Sequence, residues 1–164
     1  MKKLLLFFII IPLFSCSAIR DDSKEIVNIN CPEVYFSSEN NIYVGGNIEE
    51  IDLENIKYKA SLNNYRFAGD CFMDNLSKNF SLDLLILVEP ITKEDIAINL
   101  PIFILFYDFE NKLVDKKYFR VQHNLKYNSN LTDLNSEELK NKLDISINSK
   151  NEIGSIAIGF VNLN

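Results

Sequence analysis

Three kinds of side chain in this 164-residue chain could do chemistry: three cysteines, a single histidine and several close-set carboxylates. Paired carboxylates can run glycoside hydrolysis or hold calcium. Glu49, Glu50, Asp52 and Glu54 lie close together, as do Glu94 with Asp95 and Glu137 with Glu138. None of these groups has the spacing of an EF-hand loop, and acid pairs in the turns of an acidic protein read first as solvated surface. His123 would need an activated nucleophile and an orienting acid to act as a general base, and no spacing in the sequence supplies them. It reads as a loop histidine. The chain contains no G-x-S-x-G, H-E-x-x-H, P-loop or G-x-G-x-x-G motif. Two distant cysteines and one histidine cannot form a tetrahedral metal set at any recognised spacing. The expectation is a protein without catalytic residues, metal or cofactor.

The cysteines carry more. Lys2 and Lys3 precede an apolar run from Leu4 to Phe14, 11 residues long, well short of the roughly 20 that cross a bilayer. A basic start followed by a short greasy stretch reads as an export signal. Its end, Leu13-Phe14-Ser15-Cys16, resembles the bacterial lipobox, with an aliphatic residue three before the cysteine and a small one just before it. The resemblance implies that residues 1–15 are removed and that Cys16 becomes the lipidated first residue of the mature chain. One acyl chain holds a protein to a membrane marginally and two hold it stably. The alternatives are an ordinary cleaved signal with Cys16 incidental, or an uncleaved anchor. With Cys16 consumed, Cys31 and Cys71 are an even pair in an oxidising compartment, and a disulfide between them is the natural expectation. Two reduced, buried thiols are the other reading.

Composition narrows the partners. Lys2 and Lys3 lie in the leader, so the remainder carries 15 basic against 23 acidic residues, a charge of −8. Such a chain is a poor nucleic-acid binder and has no basic run to seek anionic lipid. Residues 16–30 read as a lipidated N-terminus and short tether, and residues 31–164 as one domain with a real core. Fully extended at roughly 3.3–3.6 Å per residue, that tether keeps the domain near its membrane.

The elements that must position these residues read as strands. Ile56, Tyr58, Ala60 and Leu62 alternate with Lys57, Lys59 and Ser61, then Asn63 and Asn64 break the phase as a bulge would. Phe80, Leu82, Leu84, Ile86 and Val88 form a second alternating set. Leu100 to Asp108 is apolar on both faces, and FENK, Phe109 to Lys112, joins it to Leu113–Val121 as a hairpin. Gln122 to Ser136 reads as a long loop. Leu139, Leu143, Ile145 and Ile147 suggest a strand, with one helical turn over SEELKNKL as the alternative. Ile156, Ile158 and Phe160 close the chain, and Val34 with Phe36 and Ile42 to Val44 supply two short strands. About seven or eight strands without a long helix give an all-β sandwich of immunoglobulin or fibronectin-III type, with a small closed barrel as runner-up.

Two of these strands carry more apolar surface than one core face needs. Phe103, Leu105 and Tyr107 lie on the opposite parity to Ile102, Ile104 and Phe106, and Leu85 with Leu87 do the same in the preceding run. Were the two strands neighbours, the five would form an outward patch suited to a protein partner. A covering loop is the bland alternative.

The arrangement CPEVYF, then NNYRFAGDC, then LPIFILFYDFENKLVDKKYF resembles small uncharacterised lipoproteins of Gram-negative bacteria with a CP…C pair and an LP-x-F hairpin. That resemblance spans Cys31 to about Phe160 and implies an exported, disulfide-bearing β-domain, with no activity attached. In lipoproteins generally, a residue other than Asp after the lipidated cysteine goes with transport to the outer membrane, and Ser17 fits. The expectation is a periplasm-facing, lipid-anchored binding module with an envelope protein as its partner. A cell-wall glycan hydrolase using Glu49 and Asp52, or a barrel carrier with an apolar cavity, are the competing readings.

Overall fold

The computed structural model describes residues 26–46, 55–127 and 135–162. They form ten strands: β1 Val27–Ile29, β2 Glu33–Phe36, β3 Ile42–Gly46, β4 Ile56–Phe67, β5 Cys71–Met73, β6 Ser77–Pro90, β7 Ile96–Tyr107, β8 Leu113–Leu125, β9 Glu137–Asn148 and β10 Ser155–Phe160. Two sheets pack face to face, the all-β sandwich that the alternation predicts, with ten strands where seven or eight were expected. The added ones are short. β1 lies inside the segment read as tether, and β5 continues the pass begun by β4.

β6 is the spine of the first sheet. β9 pairs along one side of it, from Ser77 opposite Asn148 to Val88 opposite Glu137. On its other side β4 covers Leu82–Pro90 and β5 covers Lys78 and Asn79, with β3 beyond β4 and β1 beyond β5. The register of β4 shifts between Leu62 and Asn64, at the position where Asn63 and Asn64 break the sequence pattern. The second sheet runs β2-β10-β7-β8, and its β2–β10 pair is parallel. The chain passes from one sheet to the other between β6 and β7, through Ile91–Asp95.

The core lies between the inner faces. Leu82, Leu84, Ile86 and Val88 of β6 and Leu100, Ile102, Ile104 and Phe106 of β7 are completely buried, joined by Ile156, Ile158 and Phe160 of β10. Burying each such side chain contributes about 1.5–3 kcal/mol, so the two alternating strands are the principal source of the fold's stability. Close packing makes Gly45 obligatory: a Cβ there would lie 2.1 Å from Cζ of Tyr58, whose ring covers the glycine. Pro101 sits inside β7 without breaking the ladder. Its carbonyl accepts from Val161 N–H (2.9 Å), so its nitrogen faces the β10 side beyond the last β10 pairing, Phe160 with Ile102. The missing donor falls where the neighbouring strand ends.

β8 extends to Leu125, so Gln122–Leu125 of the expected loop is strand, and β9 is the strand that the sequence suggests there rather than the alternative helical turn; both are edge strands. Their inward positions include His123 and Asn141, polar residues that interrupt the apolar alternation at a sheet edge.

Candidate functional site

Cys31 and Cys71 are bonded, with Cα atoms 5.2 Å apart and a separation of 40 positions in sequence. Cys71 is buried at the start of β5, and Cys31 stands just before β2, so the bond ties the N-terminal crossing segment to the first sheet. Cys16 lies outside the described residues.

The five apolar residues read as one outward patch fall into two sets on opposite sides of the molecule. Leu85 and Leu87 face outward from β6 in the first sheet, while Phe103, Leu105 and Tyr107 face outward from β7 in the second. The premise that the two strands are neighbours does not hold. The alternation reads parity correctly but carries no information about sheet membership.

The surroundings of the two sets differ. Leu85 has Asn64 on one side and Lys140 on the other, and Leu87 has Ser61 and Glu138. Exposed Ile42, Val44 and Phe72 share that face at its margins, and charge pairs occupy much of its middle. Arg66 Nε donates to Asp83 Oδ2 at 2.8 Å, Lys140 lies 3.4 Å from the same oxygen, and Lys59 approaches Glu89 at 3.7 Å. The hydrogen bond from Arg66 holds the Asp83 carboxyl below its ordinary value, with Lys140 adding to the effect against partial desolvation. Ser81 Oγ donates to Asp144, which together with Lys142 lowers that carboxyl as well.

The outer face of the second sheet is aromatic. Tyr35, Ala157, Leu105 and Lys116 form one row across its four strands, and Gly159, Phe103 and Tyr118 form the next. Phe103 lies over Gly159: a Cβ there would be 2.4 Å from the ring's Cζ. Tyr118 is 62% exposed and Tyr35 45%, whereas Phe103, Leu105 and Tyr107 are half-buried. Lys116 Nζ stands 6.0 Å from the Tyr118 ring centre. Sequence reasoning found the β7 members of this surface and missed Tyr35, Tyr118 and Gly159. The parity of Tyr118 relative to Phe119 and Val121 was an available signal for one of them.

Among the described residues the carboxylates do not converge. Glu49, Glu50, Asp52 and Glu54 lie outside the described residues. Glu94 and Asp95 turn to different lysines, Glu94 to Lys57 at 2.8 Å and Asp95 to Lys126 at 2.7 Å, with Asp95 Oδ1 also accepting from Tyr127 N–H at 2.9 Å. The lysine hydrogen bonds come first among the causes that hold both carboxyls low. Neither is poised as a proton donor near neutral pH. His123 is in a strand, not a loop, and its Nε2 meets Glu137 Oε1 at 2.8 Å, joining the edge strands β8 and β9 of the two sheets. Among the described residues no three His, Cys, Asp or Glu side chains come together as a metal set. An open depression of about 300 Å³, lined by Val27, Met73, Asp74, Asn75, Ser149 and Lys150, lies at one end of the sandwich, outside the filled core.

No family model matches the chain, no curated protein matches it in sequence, and no solved structure matches it in fold.

Proposed function

We propose that this chain is a lipid-anchored protein of the bacterial envelope, facing the periplasm from the outer membrane, whose β-sandwich works by binding another envelope protein rather than by catalysis. The observation that carries the reading is the Cys31–Cys71 bond. Of three cysteines it uses two, and the one left over is the residue that ends the LFSC sequence behind a short apolar leader. A disulfide of this kind belongs to an oxidising compartment. The likeness to small Gram-negative lipoproteins, resting on CPEVYF, NNYRFAGDC and the LP-x-F hairpin, supports the same placement.

The binding surface is the outer face of the second sheet, around Phe103, Leu105, Tyr118 and Tyr35. It presents aromatic rings with Lys116 and Arg120 at one margin, the residue types enriched where proteins meet. Leu85 and Leu87 are each flanked by polar or charged side chains and make the weaker candidate.

Mass analysis of the native N-terminal peptide, together with membrane fractionation of the wild type and the Cys16→Ser variant, tests the anchor. The expected result is a diacylglyceryl-bearing Cys16 and release of the variant. Native protein in the soluble fraction with an unmodified thiol would overturn it. For the binding surface, Leu105→Asp should remove cross-links formed in intact envelopes while Leu87→Asp leaves them. Equal cross-linking by both would refute that assignment.

A further inference from the structure

The two most exposed large apolar residues of the described chain, with three further exposed ones, collect at one end of the sandwich, and β1 begins at the same end. Leu76 and Phe109 are each 76% exposed, Ile26 63%, Leu113 47% and Val27 43%. Leu76 is at the tip of the β5–β6 turn and Phe109 at the tip of the β7–β8 hairpin. The β9–β10 loop ties the two tips together: Ser149 N–H donates to Leu76 O (2.8 Å), and Gly154 N–H to Tyr107 O (2.8 Å). Val27 pairs with Met73 beside the same turn.

Both tips are held rigidly outward. Asp74 Oδ1 accepts the N–H groups of Leu76 (2.9 Å) and Ser77 (2.7 Å), and Asp108 Oδ1 accepts those of Glu110 and Lys112 (2.9 Å each). The aspartates therefore serve the turns, and each turn displays a large apolar side chain that the core does not use. Leucine and phenylalanine in that position cost solubility unless something covers them.

We infer that this loop end rests on the lipid surface to which the chain is anchored, with Leu76 and Phe109 entering the interface. The inference rests on the acylation of Cys16. From Cys16 to Glu25 the chain can span at most roughly 35 Å, so an anchored domain is confined within reach of the bilayer, and the strand that leads to the anchor, β1, starts at this end. Tethering at that range raises the effective concentration of the tips at the surface, so two shallow apolar insertions suffice where they would fail for a free protein. The charges around the tips are mixed, Asp74, Asp108, Glu110 and Glu152 against Lys78, Lys112 and Lys150. Contact is apolar and indifferent to the fraction of anionic lipid.

The chain has no tryptophan, so a single introduced indole reports its own surroundings. Full-length lipidated protein carrying Phe109→Trp, Leu76→Trp or, at the opposite end, Ile91→Trp is reconstituted into phosphatidylcholine vesicles containing lipids brominated near the head of the acyl chain. Expected is quenching several-fold stronger for the first two variants than for Ile91→Trp, unchanged when anionic lipid is added. Equal quenching in vesicle-bound protein would overturn this inference and leave the anchor standing. Shielding of Phe109→Trp from aqueous acrylamide without bromolipid quenching would mean that a second copy covers the end, and overturns it too. Protein that stays off the vesicles with a free Cys16 thiol would overturn the anchor and this inference together.

Discussion

Replacing both Cys31 and Cys71 by alanine opens a covalent loop whose ends are 40 residues apart. The unfolded chain regains about 13 cal/mol/K of entropy when such a loop is cut, or about 4 kcal/mol at 25 °C. A domain of this size has about 5–15 kcal/mol in total, so about a quarter or more of its stability is at stake. In a urea titration of exported Cys16→Ser protein with a slope of about 1–3 kcal/mol/M, the midpoint falls by about 1.5–4 M. Reducing the parent protein with thiol must reproduce the double-alanine value. A competing account holds that the bond only pins the short β1 arm, whose ladder is three residues long. That account predicts lost amide protection at Val27–Ile29 with an unmoved urea midpoint. A change worth less than about 1 kcal/mol in the global midpoint would therefore refute the loop-entropy reasoning, and exchange confined to β1 would show where the bond acts instead.

Neighbouring residues on β6 should respond in opposite ways: Leu84→Ala, fully buried, costs about 2–5 kcal/mol, while Leu85→Ala, on the outer face, costs under about 1.5 kcal/mol, both read by urea titration. Gly159→Ala should destabilise by about 1–3 kcal/mol because its Cβ would lie 2.4 Å from the Phe103 ring. In the Phe103→Ala background the same change should cost much less, which a double-mutant cycle measures. Asp83, Glu94, Asp95 and Asp144 all have depressed native pKa values, so their stabilisation is complete above the unfolded values of 3.8 and 4.5 and disappears as pH falls through the lower native ones. Asp83→Asn should flatten that acid limb in thermal melts. Tyr58 runs the other way: burial raises its pKa against the hydrogen bond from Asn99 N–H, so its contribution is present below pH 10 and lost as pH rises through the native value. Tyr58→Phe should abolish that part of the alkaline loss.

The parity of the strands was legible because burial follows it residue by residue along β6 and β7. The bulge at Asn63–Asn64 was legible for the same reason, since one extra residue inverts every later face. Partnership was not. A period of two states which side chains share a face and is silent on which strand lies alongside, so Leu85 and Phe103 looked like neighbours although the Ile91–Asp95 crossing puts them on opposite sheets. The end of one edge strand hid as a loop. β8 runs through Gln122, His123 and Asn124 before it ends at Leu125, and β9 turns Asn141 inward opposite Leu84, because an edge position is solvated and does not require an apolar residue at every inward site. β1 and β5, three residues each, are too short to show any period.

The two outer faces also separate what the sandwich has already satisfied from what it has left open. On the first sheet, Arg66, Asp83, Lys140, Lys142, Asp144 and Ser81 answer one another across β4, β6 and β9. A partner placed there would have to break hydrogen bonds and ion pairs before making its own. On the second, exposed Tyr35 and Tyr118 and half-buried Phe103 and Leu105 bring rings and aliphatic groups with few polar commitments, so a partner gains apolar burial at little desolvation cost. A domain standing on the bilayer by Leu76 and Phe109 would hold its strands, which run away from that end, steeply to the membrane. Both sheet faces would then look sideways along the membrane, and the aromatic one would stay open to a neighbour on the same surface. Lipid contact at the loop end and protein contact at the sheet face are therefore compatible in one orientation. Locking the loop end to lipid should leave cross-linking through Leu105 intact, and its loss would show that the two contacts compete.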